Sequence, residues 1–175
     1  MDGGPRATLE RTQVAAWLGR RLDRRWSLRL LAGGILSGQW RGAGGDAAVA
    51  GGWIAGASLS RALRDGGGAR PWVRGTATLA VARYDLAGPH DVWAGDLRLG
   101  VEAGWRLGPV TPYLLGRVFG GPVLRDTATR VLSGTDRRHV QIGPGVGVAL
   151  GSLSLGVEAS VFGEVAMAAS AAARF

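Results

Sequence analysis

The chain contains no cysteine, no lysine and no asparagine. Without cysteine there is no disulfide, no thiolate chemistry and no cysteine-based metal site. Without lysine there is no phosphate-binding P-loop. All 21 basic residues are therefore arginine, a bias that points to a GC-rich coding sequence and weakens net charge as a functional signal. Charged residues are scarce, 19% of the chain, against roughly 25% in an ordinary soluble domain. Mean hydropathy is only +0.11, too low for a bundle of membrane-crossing helices. Glycine, by contrast, is abundant, 31 of 175 residues. Each glycine inside a helix costs on the order of 1 kcal/mol relative to alanine, so this content argues against a helical protein. The absence of a Gly-X-Y period excludes collagen, and a hydrophobic content of 46% argues against disorder. The length suits one domain. A net charge of +8 would ordinarily suggest nucleic acid, but the arginines stand singly or in pairs, so no nucleic-acid partner is expected.

The informative feature is alternation with a period of two residues. Between 92 and 107 the odd positions are Trp93, Gly95, Leu97, Leu99, Val101, Ala103, Trp105 and Leu107, and the even ones include Asp96, Arg98, Glu102 and Arg106. A helix would scatter those charges around its circumference; a strand puts them on one face. Leu28, Leu30, Ala32 and Leu36 oppose Arg29, Leu31, Ser37 and Gln39 in the same way. Val49, Trp53, Ala55 and Leu59 oppose Gly52, Gly56, Ser58 and Ser60, and Val73, Ala77, Leu79 and Val81 oppose Arg74, Thr76 and Thr78. The pattern returns between 139 and 150 and from 153 onward, and the noisier segments 8–22 and 110–120 also read as strands. Turn-like residues separate the segments, so nine strands in an antiparallel meander are expected.

A soluble barrel turns its apolar face inward and a membrane barrel turns it outward. Three features favour the second. The alternating runs reach 11 to 16 residues, the length of a tilted membrane-crossing strand rather than of a soluble one. Trp93 and Trp105 share a face about 30 Å apart along a tilted strand, the spacing of two aromatic girdles; Trp26 and Trp40 are expected to form a second such pair. Glycines accompany the charges, which leaves room for extended arginines in a narrow lumen. Arg29, Arg74, Asp96, Arg98, Glu102, Arg106, Arg117 and Glu158 are the expected lumen network, forming either an ion-paired plug or the lining of a narrow anion-preferring pore. A soluble lipocalin-like ligand binder is the rival at the level of the fold.

The chain ends with Phe175, preceded at alternate positions by Ala173, Ala171, Ala169 and Met167. With the alternating strands, this ending resembles the outer-membrane β-barrel proteins of Gram-negative bacteria. The pattern covers the whole chain and the ending is its one short motif, although its alanines are smaller than the residues usual there. The resemblance implies an integral outer-membrane barrel with a structural or surface-interaction role, its long loop over 121–138 facing outward. It implies Phe175 as the signal read by the barrel assembly machinery, and membrane lipid and lipopolysaccharide as partners. It also implies an even number of strands and a secretory signal, and neither is visible: residues 1–13 carry Asp2, Glu10 and several arginines without an apolar stretch. A ten-stranded barrel whose first strand precedes position 1 reconciles both departures; an eight-stranded barrel with one non-crossing segment is the alternative.

Some barrels of this kind are hydrolases that use histidine with a carboxylate or serine. The weak candidates for such a rim site are His90, Asp91, Asp136, His139 and Glu164, with histidine as general base. Solvated loop residues explain the same positions, and no family-specific catalytic motif is present. Two histidines and no cysteine make a zinc site unexpected, and no cofactor is expected. The glycine-rich run from 143 to 151 lacks dinucleotide-loop spacing and falls inside a strand.

Overall fold

Alternation of apolar and polar residues commits each segment to a pleated strand with two unlike faces. The computed structural model describes residues 7–42, 45–87, 91–126, 131–135, 139–163 and 165–173. Its strands are β1 (Ala7–Arg21), β2 (Trp26–Gly42), β3 (Ala47–Arg64), β4 (Trp72–Leu86), β5 (Asp91–Gly104), β6 (Val110–Gly120), β7 (Pro122–Asp126), β8 (Val131–Thr135), β9 (Val140–Leu150), β10 (Leu153–Ser160), β11 (Phe162–Gly163) and β12 (Ala166–Ala173). The path of neighbours is β1-β2-β3-β4-β5-β6-β9-β10-β12, every pair antiparallel. The described residues contain no helix.

The nine strands of this path are the nine that the alternation predicts. The 121–138 segment differs, because β7 and β8 form a short hairpin there. β7 carries β6 onward in the same register against β5, pairing Ala94 with Val123 and Val92 with Arg125. At the opposite end the turns are tight. Gly108 and Gly151 both sit at φ +63° in the first central position of two-residue connections, the conformation a type II′ hairpin turn demands of glycine.

The sheet curls into a half-barrel, and side chains meet across its concave face over intervening strands. Arg11 of β1 reaches the Tyr84 hydroxyl of β4, and Arg117 of β6 reaches Glu158 of β10 across β9. The wall is not closed: among the described residues β1 and β12 pair only with β2 and β10. With nine strands in the path, these two edges run in the same direction.

The two faces are opposite in character. Leu79, Leu97, Leu99, Val101, Leu114 and Val118 are each between 50% and 64% exposed on the convex face. Buried side chains point to the concave face, where Leu31, Ile35, Trp40, Val49, Ile54, Ala82, Tyr84, Leu86 and Val92 form a cluster near the hairpin end. Register irregularities explain two departures from the alternation. The slip between Thr12 and Gln13 opposite β2 reverses the faces beyond Ile35, so Trp40 is buried on the concave side and does not share a face with Trp26. The slip between Val49 and Gly51 likewise turns Val49 inward, away from Trp53. One extra residue in a strand is enough to flip everything beyond it.

Candidate functional site

The concave face carries a chain of ion pairs built by strand register. Pairing of Arg74 with Glu102 across β4 and β5 brings the Arg74 Nε to 3.0 Å from Glu102 Oε2. On β6, Arg117 extends the chain, its guanidinium 2.7 Å from Glu158 Oε1 and 3.4 Å from Glu102 Oε1. The Tyr113 hydroxyl donates to Glu158 at 3.3 Å. Glu102 is only 8% exposed, so its charge depends on these two arginines. Nearer the hairpin end, Arg98 bonds Asp96 at 2.6 Å and its guanidinium lies 5.0 Å from the Phe119 ring centre.

Glycines make this layer fit. A methyl at Gly100 would lie 2.9 Å from both the Arg117 stem and the Thr76 hydroxyl, and one at Gly19 would lie 3.2 Å from the Arg29 stem. At Gly145 a methyl would overlap the Tyr113 ring. The missing side chain of one strand is thus the berth for a long side chain of its neighbour.

Of the expected network, Arg74, Asp96, Arg98, Glu102, Arg117 and Glu158 lie on this face in ion pairs. Arg29 occupies the same face, in register with Ser58. Arg106 is a correction. β5 ends at Gly104, and Arg106 in the following turn donates instead to the Asp65 carbonyl at 3.2 Å. The rim candidates do not assemble as a group. Asp91 is held by Arg83 at 2.6 Å, and His139 Nδ1 donates to the Phe119 carbonyl at 3.0 Å. His90, Asp136 and Glu164 lie outside the described residues, as does Phe175. Among the described residues no three histidine or acidic side chains converge as metal ligands.

The aromatic rows are differently composed from the expectation. Trp93 and Trp105 are both exposed on the convex side, each 42%. Trp53 takes the place foreseen for Trp40: it stands edge-to-face against Trp93 at 5.6 Å, with Arg83 6.0 Å from the Trp93 ring. At the tight-turn end Trp26 lies beneath Arg61 at 5.3 Å. Sequence reasoning also missed Tyr84 with Arg11, and Arg125, which donates to the Gly45 carbonyl at 3.2 Å and stacks on Trp40. These contacts join residues far apart in sequence, and no local pattern announces them. The one available signal was the chain's two tyrosines, each on a charged face where its hydroxyl needs a partner.

The concave face near Tyr84 encloses a cavity of only about 20 Å³, lined by Arg11, Ile54, Ala80, Ala82, Tyr84 and Asp96 among others. That is room for a water rather than an organic ligand. Comparison of the chain with protein-family models, with curated proteins and with solved structures gave no match.

Proposed function

We propose that this chain is a membrane-spanning β-barrel protein of the bacterial outer-membrane type, its interior held shut by ion pairs and its role structural or surface-interacting. The observation that carries the reading is the inverted polarity of the sheet. Its exposed convex face presents leucine, valine and alanine between two tryptophan rows, while the concave face carries the ion pairs Arg74–Glu102, Arg117–Glu158 and Arg98–Asp96. On the convex face the described charged residues stand only toward strand ends, Arg20, Arg61 and Arg64 at one and Glu10, Arg41, Arg83, Asp85 and Asp91 at the other. In water such a surface is an aggregation hazard; in a bilayer it is what the hydrocarbon requires. The bilayer also forbids open edges, because unpaired N–H and C=O groups cost several kcal/mol each there. On this reading both β1 and β12 are paired in the membrane.

Arginine excess on the concave face favours a second reading, a narrow anion pathway. Among the described residues Arg11, Arg29, Arg74, Arg98, Arg117 and Arg125 share that face with Asp96, Glu102 and Glu158. Folding the full chain in detergent and transferring it to lipid vesicles tests the main reading. It predicts heat-modifiable gel migration, co-flotation with the vesicles and no conductance in planar bilayers. Steady anion-selective conductance would favour the pathway, and a soluble monomer without detergent would refute both.

A further inference from the structure

The antiparallel meander places the β1–β2, β3–β4 and β5–β6 turns at the same end of the wall, and their charges are one-sided. Arg20, Arg21, Arg24, Arg25, Arg61, Arg64, Arg70 and Arg106 all lie there, all exposed, against Asp23 and Asp65. Neither aspartate is within ion-pair distance of any of these eight arginines. Asp23 is occupied with the backbone, accepting from the Arg25 and Trp26 N–H groups at 2.6 and 2.7 Å. Among the described residues the opposite end carries its charges in pairs: Arg41 pairs with Glu10 at 3.5 Å, and Arg83 pairs with Asp85 at 3.4 Å and Asp91 at 2.6 Å.

The three basic turns form one continuous rim rather than three separate loops. Ala62 N–H donates to the Arg25 carbonyl at 2.8 Å, tying the first turn to β3. The Trp105 indole donates to the Ala69 carbonyl at 3.2 Å, and Arg106 reaches the Asp65 carbonyl, which ties the third turn to the second. Trp26 and Trp105 both stand toward this end of the wall, and Arg61 lies over Trp26. Exposed guanidinium groups without carboxylate partners, set beside amphipathic indoles, match the phosphate layer of a bilayer.

We propose that this rim docks the phosphate head groups of anionic phospholipids in the leaflet at the tight-turn end. The proposal rests on the membrane-spanning reading and adds lipid selectivity and sidedness to it. Anionic lipid is preferred to zwitterionic lipid because the rim carries surplus positive charge, and the preference weakens as salt screens it. A nucleic-acid strand is a poorer fit, since the rim abuts the exposed apolar face rather than a groove lined by stacking aromatics.

The test is native mass spectrometry of the full chain, released from detergent micelles holding equal amounts of phosphatidylglycerol and phosphatidylcholine with the same acyl chains. The expected result is preferential retention of phosphatidylglycerol. Each neutralised arginine should cut that preference about fivefold, so R24Q/R25Q should lower it by more than tenfold and R41Q at the other end should leave it unchanged. Equal retention of both lipids by folded protein overturns the lipid proposal alone. Complete displacement by millimolar inorganic phosphate overturns it in favour of a free-anion site, and stronger binding of a poly(U) oligonucleotide in favour of a nucleic-acid surface. Failure to obtain a heat-modifiable, detergent-folded species removes the membrane reading itself and the proposal with it.

Discussion

Replacing Glu102 with glutamine removes one negative charge while keeping the side-chain volume, so it isolates the electrostatic part of the concave network. Glu102 is 8% exposed and bonded by Arg74, which is 37% exposed, and more distantly by Arg117, which is 21% exposed. A hydrogen bond to a charged group contributes about 1.5–3 kcal/mol, and roughly half of that is lost when the acceptor becomes neutral. Arg74 is open enough to rehydrate, which takes its share toward the lower limit. Arg117 keeps Glu158, and its 3.4 Å bond to Glu102 is long, so its share is small. The total is about 1 kcal/mol, equivalent to roughly 2–4 °C in Tm for a chain of this length. Adding Glu158→Gln strips Arg117 of both acids, so the double variant should lose about 1 kcal/mol more than the sum of the single ones. Thermal unfolding in detergent, followed by circular dichroism and by heat-modifiable migration, reads these shifts. Arg41→Gln, which removes an exposed pair, is the control and should move Tm by less than about 1 °C. If Glu102→Gln and Glu158→Gln also melt within that margin, the ion pairs do not hold the interior and the plug reasoning fails.

Gly145→Ala should destabilise by about 1–3 kcal/mol because its methyl overlaps the Tyr113 ring. Gly116→Ala, facing open space, should be neutral or mildly stabilising; equal melting temperatures for the two variants would contradict the berth model. The Asp23 carboxyl is held below its ordinary pKa by the Arg25 and Trp26 backbone N–H groups that it accepts. A depressed carboxylate stabilises the β1–β2 turn above its unfolded value of about 3.9 and loses that contribution as pH falls through the lower folded value. The Arg25 and Trp26 amide resonances should therefore hold steady from pH 7 to 5 and titrate together below about pH 4; a shared midpoint above that value would refute the assignment. For the rim, raising NaCl should erode phosphatidylglycerol retention, and a salt-independent preference would point away from head-group charge.

Strand count and the polarity of β4 and β5 were legible because these strands alternate without interruption from Trp72 to Gly104. The identity of the charged network was legible for the same reason: Arg74, Arg98 and Glu102 share a parity within and across paired strands. What escaped was set by single-residue irregularities and by curvature. Nothing in the residues of β2 marks where register slips opposite Thr12 and Gln13, yet that slip sends Trp40 to the opposite face and leaves Trp53 to partner Trp93. Arg11 meeting Tyr84, or Arg125 meeting Trp40, depends on how tightly the sheet curls, which pairwise periodicity does not encode. Arg106 lies past Gly104 in a turn, where the strand alternation no longer sets the face of a side chain. The basic rim was visible as scattered arginines, but only the meander shows that alternate turns share an end.

The central claim is that the convex face meets hydrocarbon. Because the chain has no cysteine, single cysteines can be introduced and nitroxide-labelled one at a time without background. A scan of β4 from Thr76 to Val81 in lipid vesicles avoids every ion-paired residue. The account predicts a period of two: labels at Ala77, Leu79 and Val81 collide freely with molecular oxygen and not with a water-soluble nickel chelate, while labels at Thr76, Thr78 and Ala80 are shielded from oxygen. Chelate accessibility at Ala77, Leu79 and Val81, or alternation with the opposite phase, would contradict it.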